Sequence, residues 1–143
     1  MISDMTQQEL ESFILSLENV QREENMGYIF FFVGDYHMVP FATIGYADNV
    51  GDSVSNLSRE GVFRLNMGVS KETFTALLPD YNPTAEYDFT KLDVFLPHPH
   101  YAVQSYICIL NPSDKHEEQV KRYLEEAHVI ATRMDEIRKR KQA

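Results

Sequence analysis

The chain has 143 residues, of which 43% are hydrophobic and 24% charged, and its formal net charge is −9 at pH 7. This length and composition predict a single soluble domain over residues 1–143, with enough apolar residues to build its own core. The acidic balance disfavours nucleic-acid binding, because that binding draws much of its affinity from Lys and Arg that neutralise phosphates.

The N-terminal segment predicts a helix and not a secretion signal. It lacks the basic start and the apolar centre of a signal peptide. No later apolar run approaches the roughly 18 residues that a membrane span needs. Residues 6–9 have the form of a capping box, and apolar side chains then share one helical face: Leu10, Phe13, Ile14, Leu17 and Val20. We therefore expect a cytoplasmic protein that does not contact a membrane and begins with an amphipathic helix.

Three strands are predicted after a polar link at residues 21–25. Tyr28–Val33 is aromatic and β-branched, and a short connection leads from it to a second strand at residues 41–46, as in a hairpin. A polar loop at residues 48–61 precedes the third strand. Residues 62–69 alternate strictly between apolar and mainly polar side chains. This period of two is typical of a half-buried antiparallel strand.

The second half of the chain predicts two short helices, a fourth strand and a long final helix. Ser70 can cap the first short helix, and residues 90–96 repeat a capping pattern that predicts the second. Residues 101–110 predict the fourth strand. The final helix begins near Asp114 and has a charged, frayed end at residues 138–143. Because helices and strands do not alternate, we expect an α+β fold, with an antiparallel sheet of about four or more strands packed against the N- and C-terminal helices.

Cys108 is the only cysteine of the chain. It rules out an internal disulfide and any multi-cysteine metal site. The residue lies in an apolar run, whereas a reactive thiol needs a polar or electropositive setting. We therefore predict that Cys108 is a core residue.

His98 and His100 alternate with prolines and are the weak candidates for a metal or catalytic site. Two histidines can contribute to a zinc or iron site with a carboxylate as the third ligand. Loop residues that could join them are Asp35, His37, Asp48 and Asp52, although no motif brings these together. The prolines bend the chain, so that we expect the two imidazoles to point in roughly opposite directions. A structural role in capping or packing is favoured over the functional one, and no cofactor is predicted.

Arg64 and Asn66 fall on the polar side of the third strand and form the second candidate surface. If helices cover one face of the sheet, the other face is either solvated or used for binding. With Gln104 and Tyr106 from the fourth strand, this arginine could form a small-anion pocket that recognises a carboxylate or phosphate. The alternative is an ordinary surface ladder of cross-strand pairs, which a single arginine favours.

Four sequence segments resemble an uncharacterised bacterial family, the domain-of-unknown-function family 6194. They are "PFATI" at residues 40–44, "GVFRLNMGVSKETF" at 61–74, "YDFTKLDVFLPHPHYAVQSYICILNPS" at 87–113 and "LEEAH" at 124–128. The resemblance covers nearly the whole chain. Family members usually have a longer connection before Pro-Phe-Ala-Thr than residues 34–39 provide. The layout also resembles, more weakly, the MmcQ/YjbR group of small bacterial domains, whose described DNA binding the acidic charge does not favour.

Two kinds of function remain open from the sequence. The first is a non-enzymatic domain that binds an unknown small ligand or a protein, and that could form a homodimer through its sheet face. The second is a metal-dependent or other enzyme that uses His98 or His100 with a loop carboxylate. Nucleic-acid binding ranks third because of the net charge. The predicted binding surface consists of Arg64, Asn66, His98, His100 and Gln104.

Overall fold

The structure, a computed structural model, describes residues 4–142. Within this range the strands are β1 (Val20–Asn25), β2 (Tyr28–Val33), β3 (Ala42–Gly45), β4 (Arg64–Gly68), β5 (Phe95–Pro97) and β6 (Tyr106–Leu110). The α-helices are α1 (Gln7–Leu15), α2 (Lys71–Leu77) and α3 (Glu117–Gln142). The strands form one sheet in the order β1-β2-β3-β4-β6-β5, and every neighbouring pair is antiparallel. The predicted α+β class, with terminal helices on an antiparallel sheet, is confirmed.

The main core lies between α1, α3 and the sheet face that they cover. Leu10 of α1, Leu124 of α3 and Leu65 of β4 are fully buried in it. Helix α1 begins with the predicted capping box, in which the Thr6 hydroxyl accepts the Glu9 N–H at 3.0 Å. Within residues 4–142, no helix combines the length and hydropathy that a membrane-spanning segment requires.

Helix α3 extends past the sheet that it covers. Its apolar stripe is buried at Val120 and Leu124, but Met134 and Ile137 near the C-terminal end are exposed. The helix continues through the charged end as far as Gln142. The last residue of the segment predicted to fray, at position 143, lies outside the described residues, as do positions 1–3.

The polar link predicted at residues 21–25 is wrong, because these residues belong to strand β1. A two-residue turn connects β1 to β2, and both of its residues, Met26 and Gly27, have positive φ angles, of 53° and 82°. Such angles suit the two central positions of a tight hairpin turn. The strand looked like a loop because it is an edge strand with charged side chains, which discourage pairing with another chain.

The prediction of a short helix at residues 90–96 is also wrong, because strand β5 begins within this segment, at Phe95. Asp93 completes the capping pattern that begins at Thr90, but its carboxylate accepts hydrogen bonds from the N–H and hydroxyl of Ser113, at 2.7 and 2.8 Å. Pro97 ends the strand at the sheet edge, where its missing N–H is tolerated. The predicted fourth strand is shorter than expected, since residues 102–104 form a 3₁₀ turn before β6.

The sheet face opposite α1 and α3, called the outer face below, is partly covered. The polar loop at residues 46–63 folds over it, and Ser55 and Leu57 of this loop are buried. Strand β4 is therefore buried on both faces, which corrects the expected half-buried strand: Arg64 and Asn66 on its polar side are 0% and 1% exposed. The part of the outer face that the loop leaves open contains the site described next.

Candidate functional site

A cavity of about 610 Å³ opens on the outer face beside the loop at residues 46–63. We call it the outer-face cavity. Thr43 of β3 and Asn66 of β4 lie side by side in the sheet and form its floor. Tyr28 of β2 and Tyr106 of β6 form walls on opposite sides. Residues 98–104 close one end, and three exposed apolar side chains stand at the rim: Met26, Met38 and Val39.

Two glycines on the central strands give the cavity its shape. Gly45 pairs with Tyr28 and Gly68 pairs with Tyr106 across neighbouring strands. A Cβ atom at Gly45 would lie 2.8 Å from the Tyr28 ring, and one at Gly68 would lie 2.7 Å from the Tyr106 ring. Each ring therefore passes so close to a glycine that a side chain at that position would collide with it. The two rings define the width of the floor between them.

Arg64 lies beside Asn66 on the same face of β4, where the loop at residues 46–63 covers it, and it is fully buried. A guanidinium has five N–H donors, and all five have acceptors here. Nε donates to Asn66 at 2.9 Å, one terminal nitrogen to Asp52 and Ser55, and the other to Asp52 and the Tyr28 hydroxyl. The predicted surface ladder is thus wrong for Arg64. No donor remains for a bound anion, so the geometry does not favour the small-anion pocket.

Asp52 neutralises Arg64 at the edge of the outer-face cavity, and its side chain is 11% exposed. Burial alone would raise the pKa of Asp52, but hydrogen bonds from Arg64 and Tyr28 outweigh it and lower the pKa. The Tyr28 hydroxyl donates to Asp52 Oδ2 at 2.6 Å, and burial raises the pKa of Tyr28. The carboxylate is therefore charged and held by the same network that satisfies Arg64.

His98 is 7% exposed and makes a structural hydrogen bond with only one of its nitrogens. Its Nδ1 accepts the backbone N–H groups of His100 and Tyr101, each at 3.0 Å. Burial, with a smaller contribution from the charge of Arg64, lowers the pKa of His98 to about 3. The imidazole is neutral at physiological pH. Since Nδ1 accepts twice, the proton is on Nε2.

His100 and Gln104 line the same end of the outer-face cavity and are both exposed. The His98 and His100 ring centroids lie 6.0 Å apart, so the expectation that they point in opposite directions is wrong. Pro97 ends β5, and the turn that begins at Pro99 brings both rings to one cavity. His100 Nε2 is 3.8 Å from Asp52 Oδ2, which is too long for a hydrogen bond.

The other loop candidates lie apart from these histidines. His37 contacts Glu23 and Gln21 through its two ring nitrogens, at 2.7 and 2.6 Å. Asp48 accepts the N–H of Leu57 and holds the polar loop together. Among residues 4–142, no group of three or more His, Cys, Asp or Glu side chains is arranged to hold a metal ion.

Cys108 is fully buried in β6, as predicted for a core residue. Burial raises the pKa of its thiol to about 12, which keeps it protonated and unreactive.

The structure brings Asn66, His98, His100 and Gln104 to one cavity and places Arg64 beside it, under the loop at residues 46–63. Sequence reasoning did not identify Tyr28 as part of the site, and it named Tyr106 beside Gln104 without assigning it to a wall. Their signal was present in part, because each tyrosine lies opposite a glycine on the neighbouring strand, but that pairing is visible only once the register is known. Ser55 was also missed, since it lies in a loop without periodicity.

The fold and the site define a class of protein: a small α+β domain whose sheet carries helices on one face and a cavity on the other. The sequence model of a Family of unknown function (DUF6194) matches residues 5–141. The chain belongs to this family, as its motifs predicted. No curated protein and no solved structure matches the chain significantly. The weaker resemblance to the MmcQ/YjbR group has no support from these comparisons.

Proposed function

We propose that this chain is a non-enzymatic module that binds a small molecule in the outer-face cavity. The observation that carries the proposal is the cavity itself, at about 610 Å³, with polar groups fixed at its floor and at one end. Ligand sites generally occupy about 300–1,000 Å³ and combine apolar walls with a few placed polar groups. The walls here are tyrosines, and the polar groups include Asn66 and His98.

The chemistry of the cavity supports binding more than catalysis. His98 cannot accept a proton at Nδ1, because that nitrogen already accepts two backbone N–H groups. Asp52 forms an ion pair with Arg64, and the thiol of Cys108 is buried and protonated. A general base needs a free lone pair within reach of the substrate. Of these groups only Asp52 keeps a lone pair, and its hydrogen bonds from Arg64 and Tyr28 lower its pKa and make it a weak base.

A second candidate function, an enzyme, is favoured by the approach of His100 to Asp52. The 3.8 Å between His100 Nε2 and Asp52 Oδ2 could shorten when a substrate enters and would then orient the imidazole as a base. Metal analysis of the purified protein tests the metal-dependent form of this idea. Stoichiometric metal that disappears in His100→Ala would favour the enzyme over the binding module.

A fragment screen with two matched variants tests the binding module. Gln104 is exposed and lines the outer-face cavity, whereas its neighbour Val103 is 84% exposed and does not line it. Ligand-observed NMR should detect fragments that bind the wild-type protein and Val103→Trp but not Gln104→Trp. The new indole ring fills the cavity only when it is placed at position 104. Equal binding by both variants, or no fragment bound by the wild type, contradicts the proposal.

The exposed apolar rim is the surface through which a homodimer would form. Exposed Met26, Met38 and Tyr101 surround the mouth of the outer-face cavity, and clustered apolar side chains are typical of interaction surfaces. Sedimentation velocity at rising protein concentration measures the oligomeric state. A protein that stays monomeric at every concentration contradicts the homodimer. A bacterial source and a cytoplasmic location stay predictions of the sequence analysis.

A further inference from the structure

The two ring nitrogens of His98 differ in their hydrogen bonding. Nδ1 accepts two backbone N–H groups and fixes the turn that follows the residue. Nε2 carries the proton and has no hydrogen-bond partner among residues 4–142. The ring is also held between aromatic neighbours, with its centroid 5.1 Å from that of Tyr101 and 6.3 Å from that of Tyr106. His98 therefore presents one N–H donor in a fixed direction.

This unpaired N–H opens into the outer-face cavity. No buried side-chain nitrogen or oxygen of residues 4–142 lacks a hydrogen-bond partner. Since Nε2 has no partner, it must reach the surface, although the residue is only 7% exposed. His98 lines the outer-face cavity, so this small exposed part faces the cavity. A donor so placed is satisfied by a ligand oxygen or nitrogen, or by water.

The outer-face cavity has no unpaired charge to offer a ligand. Among the described residues, no lysine or arginine lines it, and Asp52 is the only carboxylate that does. Asp52 is paired with Arg64 and also accepts from Tyr28. A charged ligand would give up its hydration without a partner of opposite charge, which is costly in a partly enclosed site.

The walls favour a flat apolar body. Phe30 lies beside Tyr28 on β2, with ring centroids 6.2 Å apart and 26° between the ring planes. Tyr106 faces them across the floor, and its hydroxyl is held by the Pro40 carbonyl at 2.7 Å. Aromatic walls of this kind stack on planar rings. The ligand must therefore combine a ring system with an acceptor that reaches His98.

We propose that the outer-face cavity takes an uncharged ring compound whose carbonyl oxygen accepts a hydrogen bond from Nε2–H of His98. This inference rests on the proposed binding function and narrows its ligand class. It assigns His98 a positioning role for the ligand in addition to its role in the turn. It also explains why a histidine, and not a shorter turn-forming residue, stands at this position.

Four bicyclic probes of nearly equal shape test the ligand class. 1-Tetralone carries a carbonyl, tetralin has a methylene there, tetrahydro-1-naphthoate is an anion and 1-aminotetralin is a cation at pH 7. Dissociation constants are measured by NMR titration of the full chain. We expect 1-tetralone to bind about tenfold more tightly than tetralin, because tetralin covers the N–H without offering it an acceptor. The two charged probes should bind more weakly than 1-tetralone.

Two substitutions separate the nitrogens of His98. In His98→Asn the side-chain oxygen can accept the N–H groups of His100 and Tyr101, but nothing reaches the position of Nε2. In His98→Gln the amide nitrogen can reach that position, but the turn loses its acceptor. We expect His98→Asn to lose the preference for 1-tetralone and His98→Gln to keep part of it. Since His98→Asn retains the turn, it should remain folded.

The outcomes distinguish this inference from the proposed function. If the probes bind but His98→Asn keeps the preference for 1-tetralone, or if a charged probe binds most tightly, the inference is wrong and the binding module stands. If no probe binds the wild-type protein, this inference is overturned, whereas the proposed function is judged by the fragment screen with Gln104→Trp and Val103→Trp.

Discussion

Arg64 shows how one buried side chain can organise a site without touching a ligand. Its five donors connect β4 to the loop at residues 46–63 through Asp52 and Ser55, and to β2 through the Tyr28 hydroxyl. A buried charge is tolerated only when it is paired and fully hydrogen-bonded. The loop is therefore held against the outer face, and the cavity beside it has a fixed edge.

Arg64→Lys tests this network. Lysine keeps the charge but has three donors instead of five and cannot form the planar fork. We expect the substitution to lower the free energy of unfolding by about 1–3 kcal/mol, because some of the buried acceptors around Arg64 are left without a donor. Urea denaturation measures it. Arg133→Lys is the control, because Arg133 is exposed on α3 and should change stability by less than about 0.5 kcal/mol. Equal effects of the two substitutions would contradict the network.

His98 makes a pH-dependent contribution to stability that can be separated from other groups. Its folded pKa is about 3, below the ordinary value of 6.5 that applies to the unfolded chain. Between these values the unfolded state binds one more proton, so stability is fully present above pH 6.5 and falls as the pH is lowered, by about 1.4 kcal/mol per pH unit. Asp52, with a lowered pKa, loses its contribution only at more acidic pH.

We therefore expect the wild-type protein to lose about 2 kcal/mol more stability than His98→Asn between pH 7 and pH 5. Chemical denaturation at several pH values in this range gives the two slopes. Other titrating groups are common to both proteins and cancel in the difference. If the free energy of unfolding changed with pH equally in the two proteins, His98 would be protonated in the folded state as well. That result would contradict the assignment of Nδ1 as a hydrogen-bond acceptor.

At the scale of elements, the glycines of β3 and β4 decide what the outer face can hold. Gly68 gives the Tyr106 ring room to lie across the sheet, and the hydroxyl then reaches the Pro40 carbonyl. A methyl group at position 68 would meet the ring at 2.7 Å. The ring must then tilt away from the sheet.

Gly68→Ala should destabilise the protein by about 1–3 kcal/mol, the usual cost of overpacking. In a Tyr106→Leu background the same substitution should cost less than about 0.5 kcal/mol, because the ring that it meets is gone. A double-mutant cycle from denaturation curves measures this coupling. Additive effects would mean that the glycine is required for another reason.

The sequence predicted elements where local chemistry and burial agree, and it failed where they conflict. The capping box at Thr6 and the alternation through β4 identified a helix and a strand correctly. Strand β1 was missed because its charged side chains suit an edge strand and a loop equally. β5 was misread as a helix because Thr90 and Asp93 have the spacing of a capping box, whereas the Asp93 carboxylate accepts a hydrogen bond from Ser113 instead.

The site was predictable only as a set of residue types. Asn66, His98 and Gln104 were identified from their places on strands and turns, and the structure brings them to one cavity. The burial of Arg64 was not predictable, since it depends on a loop whose Asp52 and Ser55 have no periodic signal. Long-range register decides both outcomes, and no local pattern encodes it.

At the scale of the whole molecule, the sheet separates the main hydrophobic core from the proposed binding site. The face toward α1 and α3 holds the main core, and the outer face holds the cavity and a small second cluster of Tyr28, Leu57 and Leu110. The polar groups of the cavity floor, Thr43 and Asn66, lie on strands that the main core supports from behind. Sites on strands are held more precisely than sites on loops.

Leu124→Ala tests whether the two faces are independent. Leu124 is fully buried in the main core, so its truncation should lower the free energy of unfolding by about 2–5 kcal/mol. Because the residue lies behind the sheet, we expect the dissociation constant of 1-tetralone to stay within about twofold of the wild-type value while the protein remains folded. Val129→Ala, at a position that is 46% exposed on the same helix, is the matched control and should change neither quantity. A large loss of 1-tetralone binding in Leu124→Ala would mean that the helices shape the cavity through the sheet, and that the outer face is not a rigid platform.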